Sequence, residues 1–347
     1  MQQYKSLDFA KFICAILIVV LHTAPFSSYS KALSFAFRNI VTVIAVPFFF
    51  VTSGFLAFKK LDSIGKEQRK GYIFNYLKRL AIMYLIWSAV YFGFVVVKWL
   101  RKGFSVYCVL EYVKDFFFEG SYSTIWFLPA LFAATLVVYL LHEKLSYQTV
   151  FAIGCIIYVF TLGGSSYYGL VTRIPFVEGV YNLYYSFFDS IKNGICFGTI
   201  FVAMGAMISE KEEKMTADKS ALSAIVPVLL FGVLLAVEEF LVAWQNWNVR
   251  GVDTVASLIP FTYFLVRFLL ILPLNIPDRI GIGMRKYSIL MFLSQRIPLS
   301  VIELFLSKTI IATNSFLHFV TVLSATMLIS FAILQWAKKC RAIQCAF

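Results

Sequence analysis

The feature that most constrains this chain is a series of long stretches with few or no charged residues. A helix needs about 20 mostly apolar residues to cross a hydrocarbon core about 30 Å thick. The stretches are continuously apolar, whereas a membrane barrel strand is only about ten residues long and alternates in polarity. We therefore predict an all-α, polytopic membrane protein with a bundle of about ten transmembrane helices. The predicted spans are residues 12–24, 39–58, 80–97, 124–141, 148–165, 193–208, 221–237, 254–275, 287–307 and 315–336.

Composition supports the same fold class. The chain is 60% hydrophobic and 14% charged, with a mean hydropathy of +0.81, whereas soluble domains are about 25% charged. Ten spans occupy most of the 347 residues, so we expect one transmembrane domain over residues 1–347. The six cysteines show no C-x-x-C spacing, and neither a disulfide framework nor a metal site is expected.

The positive charge, +13 overall, is distributed as a topology signal and not as a nucleic-acid patch. With the N-terminus inside, 18 Lys and Arg residues lie in inner segments and nine in outer segments. This bias predicts a multi-pass protein of the cell membrane, expected to be bacterial, with both termini in the cytoplasm. The densest basic cluster, residues 59–79, then faces the cytoplasm. Its last members, Lys78 and Arg79, are either topology determinants or phosphate ligands.

The first predicted helix carries ionisable residues, which are costly inside a membrane and therefore indicate function. Lys11 and His22 are eleven residues apart, which turns the helix by about 1100° and advances it by about 16 Å, so both lie on one face. Asp8 precedes Lys11 by three residues and can pair with it. A cation near the inner boundary and an imidazole in the outer half suit an anionic donor and a general base. The alternative is that both side chains extend to the membrane surfaces.

Five segments, in order, resemble the motifs of the acyltransferase 3 family of membrane-bound acyltransferases. The first, SLDFAKFICAILIVVLH at 6–22, is similar to the signature in which an Asp, a basic residue and a histidine follow one another. The others are PFFFVTSGFLAF at 47–58, KRLAIMYLIW at 78–87, IWFLPALF at 125–132 and KYSILMFLSQ at 286–295.

The resemblance implies transfer of an acyl group, commonly acetyl, from cytoplasmic acyl-CoA to a hydroxyl of a cell-surface glycan or a lipid-linked sugar. It implies that His22 is the general base and that Lys11, with Asp8 orienting it, contributes to catalysis. Lys11, Lys78 and Arg79 would hold the donor, since Arg offers a planar fork and Lys a point charge for phosphates.

Two further motif residues, Ser53 and Trp126, are candidates for lining the substrate cavity. The small pair Ser53 and Gly54 also permits close helix approach, and packing is the role expected for both. An interface position is the alternative for Trp126. Thr124 and Gln295 stand where many family members carry histidine, so a second titratable group is expected to be missing.

Other intramembrane charges receive no role from the sequence: Arg267, Arg296, Glu303 and the pair Glu238 and Glu239. Buried charges also mark substrate paths, so a transporter or flippase of a polar lipid-linked sugar is the alternative function. The inverted repeats that many transporters show are not evident. A sensor or scaffold that has lost the chemistry is a third possibility.

Overall fold

A computed structural model describes residues 4–217, 221–272, 274–340, 345 and 347. Over these residues the chain is helical and contains no strand, which confirms the all-α prediction. The α-helices are α1 (Lys5–Thr23), α2 (Lys31–Phe35), α3 (Ala45–Asp62), α4 (Lys66–Lys102), α5 (Val106–Phe118), α6 (Phe127–His142), α7 (Tyr147–Gly164), α8 (Tyr168–Val171), α9 (Pro175–Tyr185), α10 (Thr199–Ala217), α11 (Ala221–Trp244), α12 (Leu258–Ile271), α13 (Asp278–Ser294), α14 (Arg296–Phe305), α15 (Ile310–Thr313) and α16 (Ser315–Lys339).

Each of the ten predicted spans falls on a helical segment. Within the described part of the chain, eight segments are long and apolar enough to cross a membrane, and α6 and α12 are shorter apolar helices at the two remaining positions. The predicted span 254–275 falls on α12, and its residue 273 lies outside the described residues. The fold is therefore that of a multi-pass membrane protein.

Helix boundaries differ from the prediction where polar residues continue a helix or interrupt one. The helix α4 is 37 residues long, although only 80–97 was predicted, because the basic residues before position 80 are good helix formers. The predicted span 287–307 is divided, since α13 ends at Ser294 and α14 begins at Arg296.

The described chain forms two compact units, which leaves the single-domain prediction untested. Unit 1 comprises residues 1–45, 81–128 and 274–347, and unit 2 comprises 46–80 and 129–273. In unit 1, α1 packs against α13 and α16. Its core includes Val19 of α1, Leu299 and Ile302 of α14, and Val322 of α16, all buried.

In unit 2, glycines allow helices to approach closely. A Cβ on Gly54 of α3 would collide with the carbonyl oxygen of Val202 in α10, and one on Gly205 would collide with the backbone of Val51. The expected packing role of Gly54 is therefore confirmed. Close contact through small residues is a principal source of helix association in membranes, where lipid is as apolar as the side chains.

This contact predicts that Gly54→Ala destabilises the protein, because the added methyl forces α3 away from α10. Overpacking of this kind costs about 1–3 kcal/mol. The measurement is the apparent midpoint of thermal unfolding of purified protein. Gly93→Ala is the matched control, since a Cβ on Gly93 of α4 meets no atom within 4 Å; a Gly54→Ala protein as stable as this control would contradict the packing argument.

Candidate active site

The face of α1 that joins Lys11 to His22 points into the protein. Lys11 is 7% exposed, and Ala15 and Ile18, which lie between the two polar residues on that face, are 0% and 2% exposed. His22 is half-buried in the last turn of the helix. Ile13, on another side of α1, is 39% exposed. The two predicted site residues therefore share one inward-facing stripe of the helix.

Asp8 is held by an arginine that the sequence reasoning missed. Its Oδ1 atom lies 3.8 Å from Nε of Arg285 in α13, and the Asp8 side chain is 5% exposed against 37% for Arg285. The Asp8 carboxylate attracts the Lys11 ammonium, and the Arg285 guanidinium repels it. Asp8, Lys11 and Arg285 thus form a group of one carboxylate and two cations, in which Arg285 is partly exposed. The sequence offered one indication that Arg285 belongs to the site, which is its position directly before the motif at 286–295.

A second ion pair fixes the register of the same two helices. Nζ of Lys5 lies 2.8 Å from Oδ1 of Asp278, the first residue of α13. Lys5 and Asp8 of α1 therefore meet Asp278 and Arg285 in the same order, so α1 and α13 run in the same direction. This end of unit 1, defined by these four residues, is called the charged end.

The other end of α1 is fixed to the start of α16, which positions His22. The helix stops at Ala24, which has φ +45° and donates its N–H to the Val20 carbonyl. The hydroxyl of Ser315 donates to the Pro25 carbonyl at 2.8 Å, and the hydroxyl of Tyr29 donates to Asn314 at 3.1 Å. The turn that follows His22 is therefore held in place by side-chain hydrogen bonds.

Unit 1 contains a buried cluster of polar side chains that includes Thr124 and lies next to Gln295. These are the two positions at which many family members carry histidine. The hydroxyl of Tyr91, which is 0% exposed, donates to the Leu293 carbonyl. Its ring stacks on Tyr122 with centroids 4.8 Å apart, and the Tyr122 and Ser300 hydroxyls are 2.7 Å apart. Thr124 is 2% exposed, and its side chain lies close to the Tyr91 hydroxyl.

Gln295 and Arg296 occupy the break between α13 and α14. Gln295 is 0% exposed; its Nε2 donates to the Phe292 carbonyl at 3.1 Å, and its Oε1 has no hydrogen-bond partner among the described residues. Arg296 Nη1 lies 3.1 Å from Glu303 Oε1, so these two residues share a face of α14, as their spacing predicts. Ile302, next to Glu303, packs in the core with Val19 of α1, which places this cluster near the His22 end of α1.

The remaining predicted site residues lie elsewhere in the structure. Trp126 belongs to unit 1 and is half-buried in the turn before α6. Ser53 is half-buried on α3, and Lys78 and Arg79 are exposed on the first part of α4; all three belong to unit 2. The structure thus brings Asp8 and Lys11 together with Arg285 and leaves the roles of the other candidates as predictions.

Comparison with known proteins identifies the family. The sequence matches the acyltransferase 3 family model, described as an acyltransferase domain, over residues 4–335. The chain belongs to this family, so it is a membrane protein of the acyltransferase type.

Curated relatives carry a different name and are longer. Two proteins of Enterococcus faecalis named amino-acid racemase are 26% and 25% identical over 96% and 97% of this chain, covering 45% and 47% of their own length. A serine/alanine racemase of Enterococcus gallinarum is 24% identical over 93% of this chain and 45% of its own length. The chain spans about half the length of these relatives. No solved structure matches it significantly.

The buried charges of α1 predict that Asp8→Asn lowers the thermal midpoint, because Lys11 then lacks a nearby carboxylate. Removing one partner of a buried pair costs about 3–5 kcal/mol; with Arg285 partly exposed, we expect about 2 kcal/mol. Adding Lys11→Met should restore most of the loss by removing the uncompensated cation.

Asp278→Asn is the control for this substitution, since it breaks the other α1–α13 ion pair at a side chain that is 74% exposed. Exposed pairs contribute about 0–1 kcal/mol, so its effect should be small. Equal losses in Asp8→Asn and Asp278→Asn, or no rescue by Lys11→Met, would contradict the charge-balance argument.

Proposed function

We propose that this protein is a membrane-embedded O-acyltransferase. It would move an acyl group, with acetyl expected, from acyl-CoA to a hydroxyl of a cell-surface glycan or a lipid-linked sugar. The observation that carries the proposal is the buried face of α1, which links a charged cluster at one end of the helix to His22 at the other. Family membership supports acyl transfer; the donor, the acceptor and the role of His22 are part of the proposal.

The charged end suits an anionic donor. Lys5 and Asp278 of this end pair with each other. Arg285, together with Lys11 on the next turn of α1, supplies two cations against the carboxylate of Asp8, and Arg285 is partly exposed. Guanidinium groups bind phosphates through two parallel hydrogen bonds, while an ammonium acts as a point charge. We assign the phosphates of coenzyme A to Lys11 and Arg285 in unit 1, and we assign to Asp8 the orientation of Lys11. Lys78 and Arg79, in unit 2, are proposed as donor-binding residues by their resemblance to the family motif.

His22 would act as the general base. Its imidazole takes the proton of the acceptor hydroxyl while that oxygen attacks the thioester carbonyl carbon. A C–O bond forms and the C–S bond breaks, releasing the coenzyme A thiolate, which takes up the proton from His22. The products are an ester and the thiol of coenzyme A.

The polar cluster near the His22 end is the proposed acceptor region. Tyr91 and Tyr122 are buried, and their hydroxyls are held by the Leu293 carbonyl and by Ser300, so they would form the wall of this region. Trp126 and Ser53 are proposed as cavity-lining residues. Thr124 and Gln295 can donate or accept hydrogen bonds but cannot act as bases near neutral pH, so the proposal relies on His22 alone.

The distribution of Lys and Arg supports a topology with both termini in the cytoplasm. In that orientation the charged end of unit 1 faces the cytoplasm, where acyl-CoA is found, and His22 lies in the outer half of the bilayer. The chain would then belong to a bacterial cytoplasmic membrane. This topology agrees with a donor and an acceptor that approach from opposite sides.

The racemase name of the relatives applies to proteins about twice as long, and we do not propose racemisation for this chain. A transporter or flippase for a polar lipid-linked sugar is the second candidate function. Glu239, a carboxyl group of α11 that is 0% exposed, favours it, because buried charges mark substrate paths as well as catalytic sites.

The first test of the proposed function is His22→Ala, which should reduce acyl transfer by about 10²–10⁴-fold, the usual contribution of a general base. Membranes containing each variant are incubated with acetyl-CoA labelled in the acetyl group, and label in surface glycan or lipid-linked sugar is measured. His142→Ala is the control, since His142 stacks on Tyr147 in unit 2 and has no proposed role. Equal labelling by His22→Ala and wild type would exclude the enzymatic proposal, and unlabelled sugar lipid appearing across vesicles would support transport.

The second test concerns the donor. Removing phosphate ligands raises KM for acyl-CoA with little change in kcat, since such contacts are equal in the ground and transition states. We expect Lys78→Gln with Arg79→Gln to raise KM about tenfold, equivalent to about 1.4 kcal/mol. Lys60→Gln with Lys66→Gln removes the same charge from exposed positions of the same basic cluster. If both pairs shift KM equally, Lys78 and Arg79 act only through net charge.

A further inference from the structure

Unit 2 contains a buried acidic group that the proposed chemistry does not use. Glu239 lies on α11, five residues before the helix ends at Trp244, and is 0% exposed. Neither of its carboxylate oxygens has a hydrogen-bond partner among the residues that the structure describes. A carboxylate in this position is strongly unfavourable unless something compensates its charge.

The adjacent carboxylate is fully satisfied within the protein. Oε1 and Oε2 of Glu238 accept the backbone N–H groups of Ala256 and Ser257, each at 2.7 Å. The Tyr167 hydroxyl also donates to Glu238. Burial and the Glu238 carboxylate raise the pKa of Tyr167 well above its usual range, so the phenol keeps its proton and remains a donor. Glu238 therefore holds together α11 and the segments around it.

The third carboxylate of the cluster has its own cation. Lys192 Nζ lies 2.7 Å from both oxygens of Asp253. Asp253 and Glu238 are close enough to Glu239 for their negative charges to interact with it. All three carboxyl groups also interact electrostatically with the Tyr158 phenol. Among these three neighbouring carboxyl groups, Glu239 is thus the one with neither a donor nor a cation in the described structure.

Neutral oxygen atoms lie close to these three carboxyl groups, since Thr254 follows Asp253 and Val255 precedes Ala256, whose N–H donates to Glu238. The Thr254 hydroxyl donates to Ser165 Oγ at 3.0 Å, and the Thr254 N–H donates to Ser166 Oγ at 3.1 Å. The Tyr158 hydroxyl donates to the Val255 carbonyl at 3.2 Å. The five residues joined by these three hydrogen bonds are buried. Carboxylate, carbonyl and hydroxyl oxygens are ligands for hard cations and not for soft metals.

We propose that Glu239 is the carboxylate ligand of a small monovalent cation bound among these buried oxygen atoms of unit 2. A single carboxylate with unused oxygens, among neutral oxygen atoms, balances one positive charge. A divalent ion takes several carboxylates or waters, and Glu238 and Asp253 are already engaged. The proposal does not depend on acyl transfer, so each proposal can fail without the other.

The test measures thermal unfolding of the purified full chain in lipid nanodiscs, in chloride salts of sodium, potassium, methylammonium and choline at equal ionic strength. Choline is too large for a compact site and serves as the reference. A bound cation stabilises the native state by mass action, so at least one of the three small cations should raise the midpoint saturably, by about 3 °C or more. Equal midpoints in all four salts would overturn the proposal.

Two variants assign the effect to its residue. The shift should vanish in Glu239→Gln and persist in Glu178→Gln, which makes the same chemical change at an exposed position of α9. A shift retained by Glu239→Gln would place the cation elsewhere and refute the assignment. If Glu239→Gln does not fold, Glu239→Asp keeps the charge on a shorter side chain, and the half-saturating concentration should rise about tenfold or more; an unchanged concentration would count against Glu239.

A measurement on the wild-type protein requires no variant. Dicyclohexylcarbodiimide reacts with protonated buried carboxyl groups, and modification of Glu239 can be followed by mass spectrometry. The small cation that stabilises the protein should slow this reaction, because it competes with the proton for the same oxygens. Labelling at the same rate in every salt would show that Glu239 is a protonated group without a bound cation.

Discussion

The structure of unit 1 depends on how charge is balanced at the start of α1. Lys11 is buried among packed side chains, so its ammonium must be compensated from within the protein. Asp8 provides the opposite charge one turn earlier, and Arg285 binds Asp8 from α13. This arrangement fixes the helix on its neighbour and points its polar face inward. The position of His22 then follows from helical geometry, because eleven residues return a straight helix to nearly the same face.

The two units show different ways of holding helices together without a hydrophobic driving force. In unit 2, α3 and α10 meet through Gly54 and Gly205, where backbones touch and dispersion contacts dominate. In unit 1, α1 and α13 meet through ion pairs. Glycine contacts fix distance but carry no chemistry, whereas a buried charged contact fixes position and leaves a reactive group available. The catalytic proposal therefore rests on unit 1.

Much of the fold could be predicted from the sequence, because spans of apolar residues report the thickness of a membrane directly. The extension of α4 and the break before Arg296 could not, since hydropathy averaged over a window does not register a single polar turn. Lys11 and His22 were recognisable because their relation is within one helix. Arg285 was missed because its pairing with Asp8 is a contact between helices, and positive charge in a loop indicates topology as readily as binding. The same limit applies to Glu239, because its burial without a hydrogen-bond partner among the described residues is a property of the packed structure.

The substitutions at positions 124 and 295 bear on how many titratable groups the proposed reaction needs. Gln295 is buried, and its carbonyl oxygen accepts no hydrogen bond from the part of the chain that the structure describes, so it can orient a hydroxyl by accepting its hydrogen bond but cannot remove the proton. Loss of a second histidine would be serious if the leaving group required an acid. A thioester, however, releases a thiolate, and a thiol is far more acidic than an alcohol, with a pKa of about 8.5 for cysteine, so departure needs little assistance from a proton donor. One base, at His22, is then sufficient for transfer to a hydroxyl, and an active enzyme is compatible with Thr124 and Gln295.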